Sequence, residues 1–113
     1  MGDGFFPSPP SGVPIALGVL RATLRIPGAR SLKDRRQVTA SLRDRLRAKF
    51  DVAGCCLEDD GPPSSARLAF STVSGDAASV DRTLRLLRDA ISGHPGAVVV
   101  DVTYEVLRWP LLP

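Results

Sequence analysis

Asparagine is missing altogether, histidine occurs once, and the only two cysteines are neighbours. Each shortage closes a class of chemistry. With His94 alone there is no histidine cluster of the usual metal-binding kind, and a Ser-His pair could run only through a residue set in a Gly-His-Pro-Gly stop, where capping or solvent exposure accounts for it. Cys55 and Cys56 lack an evident base. A bridge between neighbours is strained, and two thiols cannot complete a structural zinc site. On a strand they point to opposite faces, one buried and one not. Thiols used this way fit a reduced, cytoplasmic protein. The opening MGDGFFPSPPSG has neither the basic start nor the apolar run of a signal peptide, and Phe6 stands where myristoylation wants Ser or Thr. Nothing approaches the ~20 apolar residues of a membrane span. No catalytic residue, metal ligand, cofactor or small-molecule substrate is assigned.

What is present is a chain of 113 residues, 43% hydrophobic and 24% charged, enough for one soluble domain with a single core. Its charge is polarised. Eight of the fifteen Lys and Arg residues fall between Arg30 and Phe50, against only Asp34 and Asp44. The rest of the chain is net acidic, so the overall +3 hides a basic helix on an acidic body.

Residues 1–13, rich in Gly and Pro, read as a disordered tail, the domain runs over 14–109, and 110–113 is a C-terminal tail. From Ile15 to Ile26 the even positions are all core-compatible and the odd ones turn from apolar to polar at Arg21, which predicts a long strand ended by Pro27-Gly28. Ser31 caps a helix with Asp34 in the capping-box position. Its buried stripe is Val38, Leu42 and Leu46, with Leu32 and Phe50 at the ends. Arg35 and Lys49 fall within the apolar arc near the helix ends, where long side chains can snorkel out. Asp51–Glu58 and Arg67–Ser74 read as strands around a Gly-Pro-Pro loop. Val80, Leu84, Leu87 and Ile91 mark a second helix opened by Gly75-Asp76 and stopped by Gly93-His94-Pro95-Gly96. Ala97–Trp109 closes the chain as a strand with Val98, Val100, Val102, Tyr104 and Val106 inward.

The order βαββαβ predicts an α+β fold. Two helices cover one face of a four-stranded antiparallel sheet, and right-handed crossovers favour the ferredoxin-like strand order 4-1-3-2. Setting Arg21 opposite Glu105 in the first and last strands places Arg25 opposite Asp101, Val19 opposite Leu107 and Leu17 opposite Trp109. It leaves Ile15, Leu17, Val19, Leu107 and Trp109 as an apolar patch on the open face, a surface that suits a homodimer or another partner.

The stretch IPGARSLKDRRQVTASLRDRLRAKFDV resembles the signature of the YlxP-like family of small bacterial proteins, whose function is unknown. The ARSLKDRR core, the RLRAKF end and the later GDAASVDR match in order, over about residues 15–107. The resemblance implies a ferredoxin-like fold and, through the translation and ribosome-maturation genes that neighbour the family, an RNA or ribosome connection. The chain departs from the family between the second and third strands. There CLEDDGPPSSARLAF has no Trp and no Gln where relatives carry both, although Glu58 matches the acidic position.

Three binding modes compete. Gly28-Ala29-Arg30-Ser31 resembles the anion cradle of acylphosphatases, which share this topology, but those enzymes position water with an Asn that this chain lacks. Base stacking on the sheet needs aromatics on the two central strands, and the open-face positions Leu17, Val19, Arg21, Ala69, Ser71 and Val73 include none. The remaining mode is a basic ridge on the first helix. Arg36, Arg43 and Arg47 fall together at 100° per residue, with Lys33 and Arg30 beyond them, and could track the backbone of ribosomal or other structured RNA. The expectation is therefore a non-catalytic, RNA- or ribosome-associated protein. The alternative is a homodimeric interaction module that works through the open sheet face without RNA.

Overall fold

A computed structural model of the chain describes residues 14–57 and 61–110. The tail residues 1–13 and 111–113, and Glu58, lie outside them. The period-two stretch forms β1 (Ile15–Arg25), with Ala16, Leu20, Ala22 and Leu24 buried and the odd positions outward. It is followed by α1 (Leu32–Lys49), β2 (Ala53–Leu57), β3 (Ser65–Ser74), α2 (Ala77–Ser92) and β4 (Val98–Trp109). The sheet order is β2-β3-β1-β4 with every pairing antiparallel. This is the ferredoxin-like α+β arrangement that the element order predicts. The β2 strand is shorter than its apolar pattern suggests, and β3 begins two residues before Arg67.

Both helices start as the capping residues dictate. Ser31 Oγ accepts from the Asp34 amide at 3.1 Å, and Asp76 Oδ1 accepts from the Ala78 amide at 3.1 Å. The α2 stripe of Val80, Leu84, Leu87 and Ile91 is wholly buried. It lies on β1 closely enough that a Cβ on Gly18 would come within 2.6 Å of Val80 Cγ1. On its solvent side Arg85 pairs with Asp81 at 2.9 Å, and Asp89 pairs with its neighbour Arg88.

Three expectations need correction. The β1–β4 register is displaced by two residues: Arg21 faces Thr103, Val19 faces Glu105, Leu17 faces Leu107 and Ile15 faces Trp109. Opposed charges are worth only ~0.2–1 kcal/mol each, and the observed register gathers the apolar ends of both strands instead. A bulge at Thr23/Leu24 also resets the start of β4. It turns Val99 toward the helices and leaves Val98 and Val100 exposed. Val106, expected inward, is 37% exposed.

The second correction concerns α1. Leu42 and Leu46 are buried and Val38 is partly so, but Leu32 is exposed. Arg35 does not snorkel out. It is 5% exposed, with Nη1 donating to the carbonyls of Ser65, Gly61 and Pro62 at 3.2, 3.4 and 3.4 Å. Lys49 does reach outward, its ammonium 5.6 Å from the centre of the Phe50 ring. The third correction falls within the basic ridge and is set out with it below.

Candidate functional site

Helix α1 packs against β2 and β3, so one of its flanks overhangs the β2 edge of the sheet. The five candidate cations are not equivalent there. Arg30, Lys33, Arg36 and Arg47 are exposed. Arg43 is half-buried and lies over β2, where a Cβ on Gly54 would sit 3.3 Å from its Cγ. Its Nε donates to Asp44 Oδ1 at 3.0 Å, and Nη1 lies 3.8 Å from Cys56 Sγ. The bond to Asp44, together with that carboxylate's charge, pushes the Arg43 pKa up, so Arg43 stays charged but faces its own helix and strand.

The two acids of α1 are also committed locally. Asp44 holds Arg43, and Asp34 Oδ2 accepts from the Arg30 amide at 2.9 Å. The latter contact bears on the anion cradle. The Ala29 amide donates to Ile26 O, the Arg30 amide to the Asp34 carboxylate and the Asp34 amide to Ser31 Oγ. Two amides of the stretch and that of Asp34 thus have partners within the chain, and one partner is itself an anion. A phosphate would have to displace it. What survives of this site is the exposed Arg30 side chain at the start of the ridge.

On the open face, Cys55 is exposed while Cys56 is half-buried beneath α1. Trp109 and Ile15 form one row across the strands, and Leu107, Leu17 and Val73 form the next. Trp109 and Val73 are 59% and 64% exposed. The structure therefore brings the five patch residues onto one surface and adds Val73, which the register sets opposite Leu17. The aromatic residues of the central region are elsewhere: Phe70 is buried and Tyr104 faces α2, with the Arg88 guanidinium 6.0 Å from its ring centre.

His94 sits where α2 ends, and its Nδ1 accepts from the Gly96 amide at 3.1 Å. Burial, and then the charge of nearby Arg45, hold its pKa below the usual 6.5. Among the described residues no group of three His, Cys, Asp or Glu side chains is placed to hold a metal ion, and no helix is long and apolar enough to cross a membrane.

Arg35 is the residue whose role the helical periodicity missed. Its signal was available: Arg35, Thr39, Leu42 and Leu46 follow the i, i+4, i+7, i+11 spacing of a buried stripe, and all four are buried. A polar residue on such a stripe must find partners, and Thr39 Oγ1 finds the Arg35 carbonyl at 3.0 Å.

Against this geometry, the sequence profile of a family described as "protein of unknown function (DUF503)" matches residues 17–104. The chain belongs to that family. The match spans β1 to most of β4 and includes both α1 and the β2–β3 connection. No curated protein matches the sequence.

Proposed function

We propose that this DUF503 protein is a cytoplasmic, non-catalytic bacterial protein of the YlxP-like kind that holds the backbone of ribosomal or other structured RNA along the exposed flank of α1. One observation carries this reading. Arg30, Lys33, Arg36 and Arg47 stand exposed along α1 and the residues leading into it, a stretch whose only acids are Asp34 and Asp44. From Lys33 to Arg47 the helix rises about 21 Å, a length over which a duplex presents several phosphates. The open face supports no competing nucleic-acid mode by stacking, because its central strands carry no aromatic outward.

The test is co-sedimentation with ribosomal subunits at about 50 and 200 mM salt, comparing wild type with Arg36→Glu/Arg47→Glu. Arg43 is left intact because its stem packs on β2. Each phosphate contact contributes about 0.9 to the slope of log affinity against log salt, so the double variant flattens that slope by about 2. Association that ignores both the salt and the two substitutions would remove α1 from consideration.

A further inference from the structure

The chain's only tryptophan stands at one end of the open sheet face, and a hollow shaped to receive such a side chain lies further along that face. The hollow, about 360 Å³, is lined by Val19, Leu107 and Ala69 together with Thr103, Arg21 and Glu105. It offers aliphatic walls, a carboxylate able to accept an indole N–H and a guanidinium able to lie against an aromatic ring. Thr103, at the far end of the hollow, is six positions before Trp109 on β4, about 20 Å away along the strand, so Trp109 reaches no further than the Leu107 wall of its own chain's hollow.

We propose that the occupant is Trp109 of a second copy. A two-fold axis lying between two facing sheets, across the strands at the level of Val106, carries each Trp109 over the other copy's Thr103. The same operation lays Leu17 against Val19 and Leu107 beside Glu105, so one surface serves both partners, as an isologous interface requires. Leu107 and Val19 belong both to the apolar patch and to the wall of the hollow, which makes the knob and its socket one continuous surface. This surface is separate from the α1 flank and does not depend on the RNA reading.

The area sets the strength. The overlapping rows cover roughly 400–500 Å² of each copy, taking ~3.4 Å per residue and ~4.8 Å per strand, against about 800 Å² per partner in a standard interface. The dimer is therefore weak and dissociates on dilution.

The experiment follows Trp109 emission and light-scattering mass on the full chain from about 1 to 500 μM, a range that brackets a micromolar dissociation constant. Mass doubles across this range and emission shifts to the blue with it. Trp109→Ala removes the knob and Thr103→Trp fills the socket. Both positions are exposed, so each variant keeps the wild-type circular dichroism and melting temperature and remains a monomer. Mixing the two variants restores one knob in one socket and returns a heterodimer. A wild type that stays monomeric at the highest concentration overturns the proposal, whether its emission is red or already blue from cover by its own termini. So does a dimer that persists in both variants, which would locate the contact elsewhere.

Discussion

Replacing Arg35 by alanine tests how the helical layer is fastened to the loop that joins β2 and β3. Arg35 is 5% exposed, and its Nη1 reaches three carbonyl oxygens of residues 61–65 at 3.2–3.4 Å. That same segment is held from the other side, where the Ile26 amide donates to Ser64 O at 2.7 Å and the Ser65 amide to Pro62 O at 2.9 Å. Arg35 therefore ties α1 to the start of β3 through groups 26 to 30 positions away in sequence. A hydrogen bond to a charged group contributes ~1.5–3 kcal/mol when well formed. These bonds sit at or beyond the long end of the normal 2.7–3.2 Å range and share the two hydrogens of one nitrogen, so about 1 kcal/mol per N–H, or ~2 kcal/mol together, is the fitting value. Loss of the buried aliphatic stem adds roughly another 1 kcal/mol, giving about 3 kcal/mol for Arg35→Ala, a large share of the ~5–15 kcal/mol of a typical domain.

In a chain of this size that loss lowers the melting temperature by roughly 12 °C, at about 4 °C per kcal/mol. Urea unfolding should show the same loss as a lower midpoint with an unchanged slope. Arg35→Met keeps most of the stem and loses the bonds, so it should fall between wild type and alanine. Hydrogen exchange at the Ile26 amide should quicken in both variants, because its acceptor lies in the released segment. Arg47→Ala, on the exposed flank, is the control and should change stability by no more than ~0.5 kcal/mol. If Arg35→Ala costs less than about 1 kcal/mol, or no more than Arg47→Ala, the clamp is not a determinant of the fold and the reasoning fails.

Two further outcomes follow from packing and titration. A methyl group on Gly54 would lie 2.6 Å from Phe70 Cε1, and one on Gly18 would lie 2.6 Å from Val80 Cγ1; each Gly→Ala change should cost about 1–3 kcal/mol by overpacking. Gly75→Ala meets nothing within 4 Å and should be near neutral in the same melts. His94 takes up its proton at a lower pH in the folded chain than in the unfolded one. Its contribution is therefore complete above the usual 6.5 and is lost as pH falls through the folded value. Thermal melts should show wild type losing more stability than His94→Gln between neutral and mildly acidic pH, and equal losses would refute the linkage.

The sequence made the element order and the α2 stripe legible because both rest on a clean period, 2 for β1 and 3.6 for α2. The β4 register was hidden for a physical reason. Val98-Val99-Val100 and Val106-Leu107 are apolar on both parities, so the alternation that normally fixes a face is absent there, and the bulge at Thr23/Leu24 leaves no mark in the residue pattern. Charge pairing was the only remaining guide and was too weak to decide. The basic ridge was legible as a helical face but not as a set of distinct environments. What draws Arg43 down is Gly54, whose missing side chain opens room on a strand that α1 meets only after folding. The place of Arg35 on the buried stripe was legible, but its partners were not, since its acceptors are carbonyls of a loop with no helical period.

These placements bear on how the two proposed surfaces relate. The apolar residues of β1 and β4 and the basic residues of α1 lie on opposite sides of the sheet, because strand parity sends the former outward and helix packing sets the latter on the other layer. A dimer joined at the open faces buries Trp109, Leu107 and Leu17 and leaves both α1 flanks outermost, pointing away from each other. The two copies then cannot place their cations on one short stretch of backbone, yet they can hold two separate segments, which turns a modest single contact into a bivalent one.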